Sequence, residues 1–200
     1  MLFSNHGWFI DNDMPLPEIL NKSEALAKGD VEKIENELIK YFSNKVDTIE
    51  NLIVGRFPHR EKVIRSAFGA HKRGDYELSI PVLLSLTDGI CKEVTGHYLF
   101  IGKNGKPETA IYVERISSDK SAAIFLQPLS QSIPINKSKK ERDKIQGFNE
   151  LNRHMVLHGD TSDYGTKVNS LKVISLINYV TQFVTKNRSD DVTLLYQQGQ

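Results

Sequence analysis

Apolar residues recur at three- and four-residue steps along three long stretches of this chain, and that period leaves few architectures open. Ile34, Leu38, Tyr41, Phe42, Val46, Ile49 and Ile53 keep it between Asp30, a natural N-cap, and about Gly55. This predicts one long helix, broken by Phe57-Pro58. Leu78, Val82, Leu83, Leu86, Ile90 and Val94 predict a central helix over residues 76 to 95. Pro81 falls in its first turns, where a missing N–H matters least. Val168, Leu171, Ile174, Ile177, Val180 and Val184 mark a third helix, from about Tyr164 to Lys186. Two shorter helices are expected: residues 17 to 28, opened by Pro17 and stopped at Gly29, and about His59 to Lys72, ended by the turn Arg73-Gly74-Asp75. Stripes of this kind are buried by laying helix on helix, so the expected fold is an all-α bundle, one domain over residues 1 to 200.

The middle of the chain is less regular. Gly102-Lys103-Asn104-Gly105-Lys106-Pro107 is a turn-rich loop, and Thr109 to Ile116 fits either strand or helix, so an irregular insertion is expected near 100–117. Residues 118 to 130 look helical, and Gln131 to Lys139, with Pro134, reads as a loop. A helix from about Lys139 to His158 then meets the last one across Asp160-Thr161-Ser162-Asp163. That predicts a C-terminal antiparallel helical hairpin, with Gly159 in the left-handed position after the first helix.

Composition narrows the function. A net charge of +1 excludes a broad cationic field as the means of drawing in nucleic acid, so any RNA contact is local. The single cysteine, Cys91, forms no internal disulfide and reads as a small buried apolar residue of a reducing compartment. No apolar run approaches the ~20 residues of a membrane span. The first residues lack the basic and apolar regions of a signal peptide, so a cytoplasmic protein is expected. Trp8, Phe9 and Ile10 read as an anchor on the bundle.

The chemistry concentrates in Asn152-Arg153-His154-Met155-Val156-Leu157-His158-Gly159. Arginine is a permanent cation able to clamp an anionic oxygen, and histidine exchanges protons near neutral pH. Together they suit phosphodiester cleavage, in which charge builds on phosphoryl oxygens while one proton leaves and another is supplied. His154 and His158 lie about 40° apart around a helix, but Arg153 and His158 lie about 140° apart. A distorted last turn, or a site completed across a symmetric homodimer, would bring the latter two together. A helix C-terminus favours protonated His158 and Arg153 opposes it, which leaves the acid and base roles unassigned.

The block from Asn152 to Gly159, followed by Asp163-Tyr164-Gly165 and Asn169-Ser170-Leu171-Lys172, resembles bacterial members of the HEPN superfamily. Arg153, a polar residue and then His158 match that superfamily's arginine–polar–histidine signature. Gly7-Trp8-Phe9-Ile10 and Pro81 through Asp88-Gly89-Ile90 are similar too. The resemblance implies an all-α bundle, often dimeric, acting as a metal-independent endoribonuclease in toxin–antitoxin or phage-defence systems. It implies Arg153 and His158 as the catalytic pair and His154 as an accessory polar residue, with RNA as substrate, an antitoxin or defence-system partner protein, and no cofactor or metal. Members paired with nucleotidyltransferase antitoxins carry a tyrosine two residues after the histidine; Asp160 stands there in this chain.

Other readings stay open beside this one. Arg153 and His158 would also serve as a salt-bridging arginine and a helix-capping histidine. Asn152, Asp163 and Tyr164 either contact RNA, orient the histidines, or only cap helices and bond within the loop. Lys140 and Lys144, within the basic run from Lys137, either touch phosphates or form a solvated face. His154 and His158 have the spacing of two zinc ligands, with Asp160 or Asp163 as a third, although Met155 replaces the glutamate of the zinc-protease motif. A non-catalytic module binding a nucleotide, RNA or partner is the main alternative to an enzyme.

Overall fold

Helix α6 (Tyr76–Thr95) runs through the interior: Ile80, Leu83, Leu84, Ile90 and Cys91 are wholly buried in the computed structural model, which describes residues 2–103, 106–116 and 126–184. The other N-terminal helices are α1 (Leu2–Asn5), α2 (Leu16–Ala27), α3 (Val31–Ser43), α4 (Val46–Arg56) and α5 (Glu61–Arg73). A two-residue hairpin follows, pairing β1 (Gly102–Lys103) with β2 (Lys106–Pro107). Then come α7 (Thr109–Ile116), α8 (Lys139–Arg142), α9 (Arg153–Leu157) and α10 (Lys167–Tyr179), which passes into a π turn at Val180–Val184. The described residues thus fold as an all-α protein apart from that hairpin.

Helix α10 is buried nearly all round, from Ser170 and Leu171 through Val173 to Tyr179, because it lies among α6, α3 and α4. A helix apolar on most faces is a core helix. Cys91 faces the same interior, where burial pushes its thiol up to about 12, so it is an inert apolar residue as its composition suggested. The N-terminal anchor also holds. Trp8 stacks on Phe42 with ring centroids 5.6 Å apart, and the Phe9 N–H donates to Ser175 Oγ on α10 at 3.2 Å.

Several predicted elements differ from the structure. The helix expected from Asp30 to Gly55 breaks at Asn44-Lys45, where the Lys45 N–H turns back to Phe42 O and α4 starts afresh. Phe42 and Val46 remain four apart across the joint, so spacing could not reveal it. The Lys45 side chain instead leaves the helix surface for Asp11 and Asp13.

The helix expected from Lys139 to His158, and with it the long C-terminal hairpin, is also corrected. α8 is one turn, residues 143 to 152 are irregular, and α9 begins only at Arg153. Gly147 adopts a φ of 68°, and Asn152 restarts the helix by accepting the N–H groups of His154 (3.0 Å) and Met155 (3.3 Å). An Asx side chain that caps a new helix must stand in extended backbone, which an unbroken helix cannot supply. The last helix likewise starts at Lys167 rather than Tyr164, capped by Thr166 Oγ1. Within the insertion expected near 100–117, the described residues form the β1–β2 pair and α7. Of the helix expected at 118–130, residues 118–125 lie outside the described residues and Gln127–Leu129 is a single 3-10 turn.

On α5, His71 is buried to 7% exposure with Nδ1 hydrogen-bonded to Ser170 Oγ of α10 at 2.7 Å. Burial lowers its pKa to about 4, helped by the charges of Lys167 and Lys72. The unfolded chain therefore takes up a proton near pH 6.5 that the folded chain refuses until about pH 4. The contribution to stability is complete above pH 6.5 and is lost as pH falls through that window, about 3 kcal/mol in all. Urea unfolding from pH 7 to pH 4 should trace this loss, and His71→Gln should flatten it. An equally steep acid limb in the variant would remove His71 as its source.

Candidate active site

Asn152 is the local organiser of the site. Its side chain is 1% exposed and fully engaged. Oδ1 accepts from Arg142 Nη1 at 2.9 Å as well as from the two α9 amides, and Nδ2 donates to the carbonyls of Pro134 (2.7 Å) and Lys137 (3.0 Å). One amide thus ties α8, the 3-10 turn Pro134–Asn136 and α9 together. Its role is support, for it has no face with which to reach RNA. Asn152→Ala should lower stability by about 2–4 kcal/mol, combining a lost cap with the loss of one acceptor of the buried Arg142 guanidinium and of two bonds to backbone carbonyls. Urea denaturation reads this directly, and a loss under 1 kcal/mol would show the junction to be held by other contacts.

From that junction α9 presents its first two residues to an open cleft of about 350 Å³. Arg153 and His154 form one side. Leu99, Phe100 and Ile101 with Lys106 and Pro107 of the hairpin form another, and Ser132, Asn136, Ser138 and Glu141 complete the wall. The Arg153 guanidinium lies over the Phe100 ring, 5.6 Å from its centroid, and Nη1 is 3.2 Å from His154 Nδ1. Arginine can only donate, so this bond requires an unprotonated Nδ1 on His154. Arg153 Nε is buried and has no hydrogen-bond partner among the described residues.

Burial is the main cause of a lowered pKa at His154, followed by the charges of Arg153, Arg142 and His158. His154 is therefore held neutral near pH 7, able to receive a proton. His158, exposed at the C-terminus of α9, stacks on the outer side of His154 with centroids 5.9 Å apart and rings 14° from parallel. Gly159 follows with φ 73°, the left-handed residue the sequence called for.

The predicted residues therefore separate into groups. Arg153 and His154 share the cleft, and His158 joins them through the stacked ring, so His154 links the arginine to the second histidine within one chain. Asp163 and Tyr164 belong elsewhere. Asp163 is exposed and accepts the Thr161 hydroxyl, while Tyr164 Oη donates to Glu77 O at 3.2 Å. That carbonyl is the one Pro81, lacking an N–H, cannot bond, so Tyr164 completes the start of α6. Lys140 and Lys144 lie exposed and do not line the cleft, whereas Lys106 does.

Sequence reasoning missed Phe100, Asp88 and Glu141. Asp88 Oδ1 accepts the N–H groups of Leu99 (2.8 Å) and Phe100 (3.2 Å), fixing the cleft wall to α6. Its pKa is raised by burial, against those two bonds and the nearby Arg153 charge. An acidic residue interrupting an apolar helix stripe was the available signal. Glu141 closes a capping box with Ser138, and that spacing was legible.

Among the described residues, no three His, Cys, Asp or Glu side chains are grouped to hold a metal ion, and no helix is long and apolar enough to cross a membrane. No protein-family model, curated protein or solved structure matches this chain.

Proposed function

We propose that this chain is a metal-independent endoribonuclease of HEPN type that cleaves RNA by attack of a 2′-hydroxyl on the adjacent phosphorus. The observation that carries the reading is the 3.2 Å approach of Arg153 Nη1 to a neutral His154 in the wall of an open cleft, with His158 stacked behind.

A phosphodiester entering the cleft is held by the Arg153 guanidinium through a non-bridging oxygen. Drawing Nη1 onto phosphate frees His154 Nδ1, which then accepts the 2′-hydroxyl proton. The 2′-oxygen–phosphorus bond forms, the phosphorus–5′-oxygen bond breaks, and His158 supplies the proton to the departing 5′-oxygen. The products are a 2′,3′-cyclic phosphate and a 5′-hydroxyl. Arg153 stabilises the charge on the equatorial oxygens between these events. The resemblance of the Asn152–Gly159 block to HEPN proteins extends the proposal to a toxin or phage-defence effector in a homodimer, restrained by a partner protein.

Incubation with single-stranded RNA in excess chelator should release ends bearing a cyclic phosphate. His154→Ala should slow this by about 10²–10⁴-fold, the usual contribution of an acid–base group. Because burial and the flanking cations lower the pKa of His154, the acid limb of the rate profile should fall below pH 6.5. Absence of turnover, with a nucleotide still raising the melting temperature, would assign the cleft to binding alone.

A further inference from the structure

Side chains of both charges line the cleft. Arg153 brings a guanidinium whose Nε is buried and has no partner among the described residues. Glu141, on α8, lines the same space. Oε1 accepts from Ser132 Oγ at 2.6 Å, and Oε2 accepts from the Ser138 N–H (2.8 Å) and hydroxyl (2.6 Å). Despite partial burial, these bonds and Lys137 keep its pKa below the usual carboxylate value, so it is ionised. A carboxylate offers about four acceptor positions, and these three bonds leave one, on Oε1. Leu99, Phe100 and Pro107 give the lining an apolar part, and Lys106 adds a second cation. A volume of about 350 Å³ is at the small end of small-molecule sites.

We propose that the cleft is a subsite for one ribonucleotide unit, the one on the leaving side of the scissile phosphate, with its 5′-phosphate on Arg153 and its ribose hydroxyl donated to Glu141. The assignment rests on the reading of Arg153 as the phosphate-holding group. Its chemistry follows from the pairing of unlike groups in one small cleft. A free anion has no use for a carboxylate there, and an apolar ligand has none for either charge. A sugar hydroxyl is a donor that an acceptor-only group selects, and the 2′-hydroxyl is the feature that separates RNA from DNA. The nucleotide on the other side of the scissile bond carries the attacking hydroxyl and lies toward His154 and His158.

Binding and cleavage separate this inference from the one it rests on. Adenosine 5′-monophosphate has no scissile diester, so calorimetric titration of the intact chain reads the subsite alone. The ribonucleotide should bind about tenfold more tightly than its 2′-deoxy analogue, the order of one hydrogen bond to a charged group, and more tightly than inorganic phosphate. Glu141→Gln keeps the Ser138 capping box, since glutamine serves there as well, but removes the charge; the ribose preference should shrink to within about threefold.

In a dinucleotide, a 2′-deoxy sugar upstream of the cleaved bond stops the reaction because the nucleophile is gone. One downstream should leave the reaction possible but about tenfold slower at subsaturating substrate. Equal binding of ribo- and deoxynucleotide, equal rates for the two downstream sugars, or a ribose preference intact in Glu141→Gln would each overturn the subsite. Failure to cleave any RNA, with ribose-selective binding retained, would instead remove only the nuclease reading.

Discussion

Replacing Arg153 by alanine is expected to lower RNA cleavage by about 10²–10³-fold while the protein stays folded, because in the proposed reaction the residue acts where charge develops and not where the fold is held. Both halves of that expectation come from its surroundings. The guanidinium bonds His154 through one nitrogen, rests on Phe100, and keeps a buried Nε with no partner among the described residues. Truncation therefore leaves one partly buried acceptor, His154 Nδ1, without its donor and otherwise costs little beyond packing on one ring. It does remove the only cation assigned to the phosphate, and it also removes one of the charges that lower the pKa of His154. The acid limb of any residual activity should accordingly move upward in pH. Arg153→Lys should recover only part of the rate, since a point charge cannot present two parallel donors to one phosphate. Single-turnover cleavage in chelator measures all three effects. Wild-type rates in Arg153→Ala would end the catalytic assignment whatever the RNA chosen.

Loss of the Asp11 carboxylate should be the most damaging single change to stability. Asp11 is 1% exposed and accepts four bonds: from Tyr41 Oη (2.7 Å), Lys45 Nζ (2.8 Å), Asn178 Nδ2 (3.1 Å) and the Asp13 N–H (3.2 Å). Those partners come from α3, the α3–α4 joint, α10 and the N-terminal segment, so one side chain pins four parts of the chain. Burial works against the Lys45 ammonium, yet its bonds to Asp11, Asp13 and Tyr41 outweigh that cost and its pKa is raised. Burial and the bond to Asp11 raise that of Tyr41 as well.

Asp11→Ala leaves a half-buried ammonium and a buried amide without this acceptor, and breaking such a pair costs about 3–5 kcal/mol. In a chain of this size that corresponds to roughly 10 °C in melting temperature. Asp11→Asn, which keeps an acceptor but not the charge, should fall between. A melting temperature within 2 °C of wild type for the alanine variant, about 1 kcal/mol or less, would show that the network contributes little.

How much of this could be read from the sequence differs residue by residue. The helices α6 and α10 declared themselves through period, but the inward face of α6 did not: Leu78 of the expected stripe is exposed, whereas Ile80 and Leu84 outside it are wholly buried. The reactive cluster was legible in composition, since an arginine and two histidines within six positions are hard to place as core. Its geometry was not. The reading put the motif late in a long helix and paired Arg153 with His158, whereas it opens a five-residue helix and the contact is between Arg153 and His154. The deciding residue was Asn152, whose side chain serves equally as a helix-surface amide or as a cap. Which it becomes depends on Arg142 and two carbonyls 15 and 18 positions away.

What the amino-acid order determined by itself was the helical character of the bundle, the turns at Gly29, Gly74 and Gly159, the anchoring of Trp8 and the identity of the chemical groups. These are local properties, set by spacing, backbone freedom at glycine and side-chain chemistry. Tertiary structure alone decided where long apolar runs break, which histidine meets the arginine, and that Phe100 and Glu141 line one cleft whose wall Asp88 holds through the Leu99 and Phe100 amides. Those outcomes depend on which buried polar groups find partners far along the chain, and a buried donor or acceptor must be satisfied wherever its partner happens to lie.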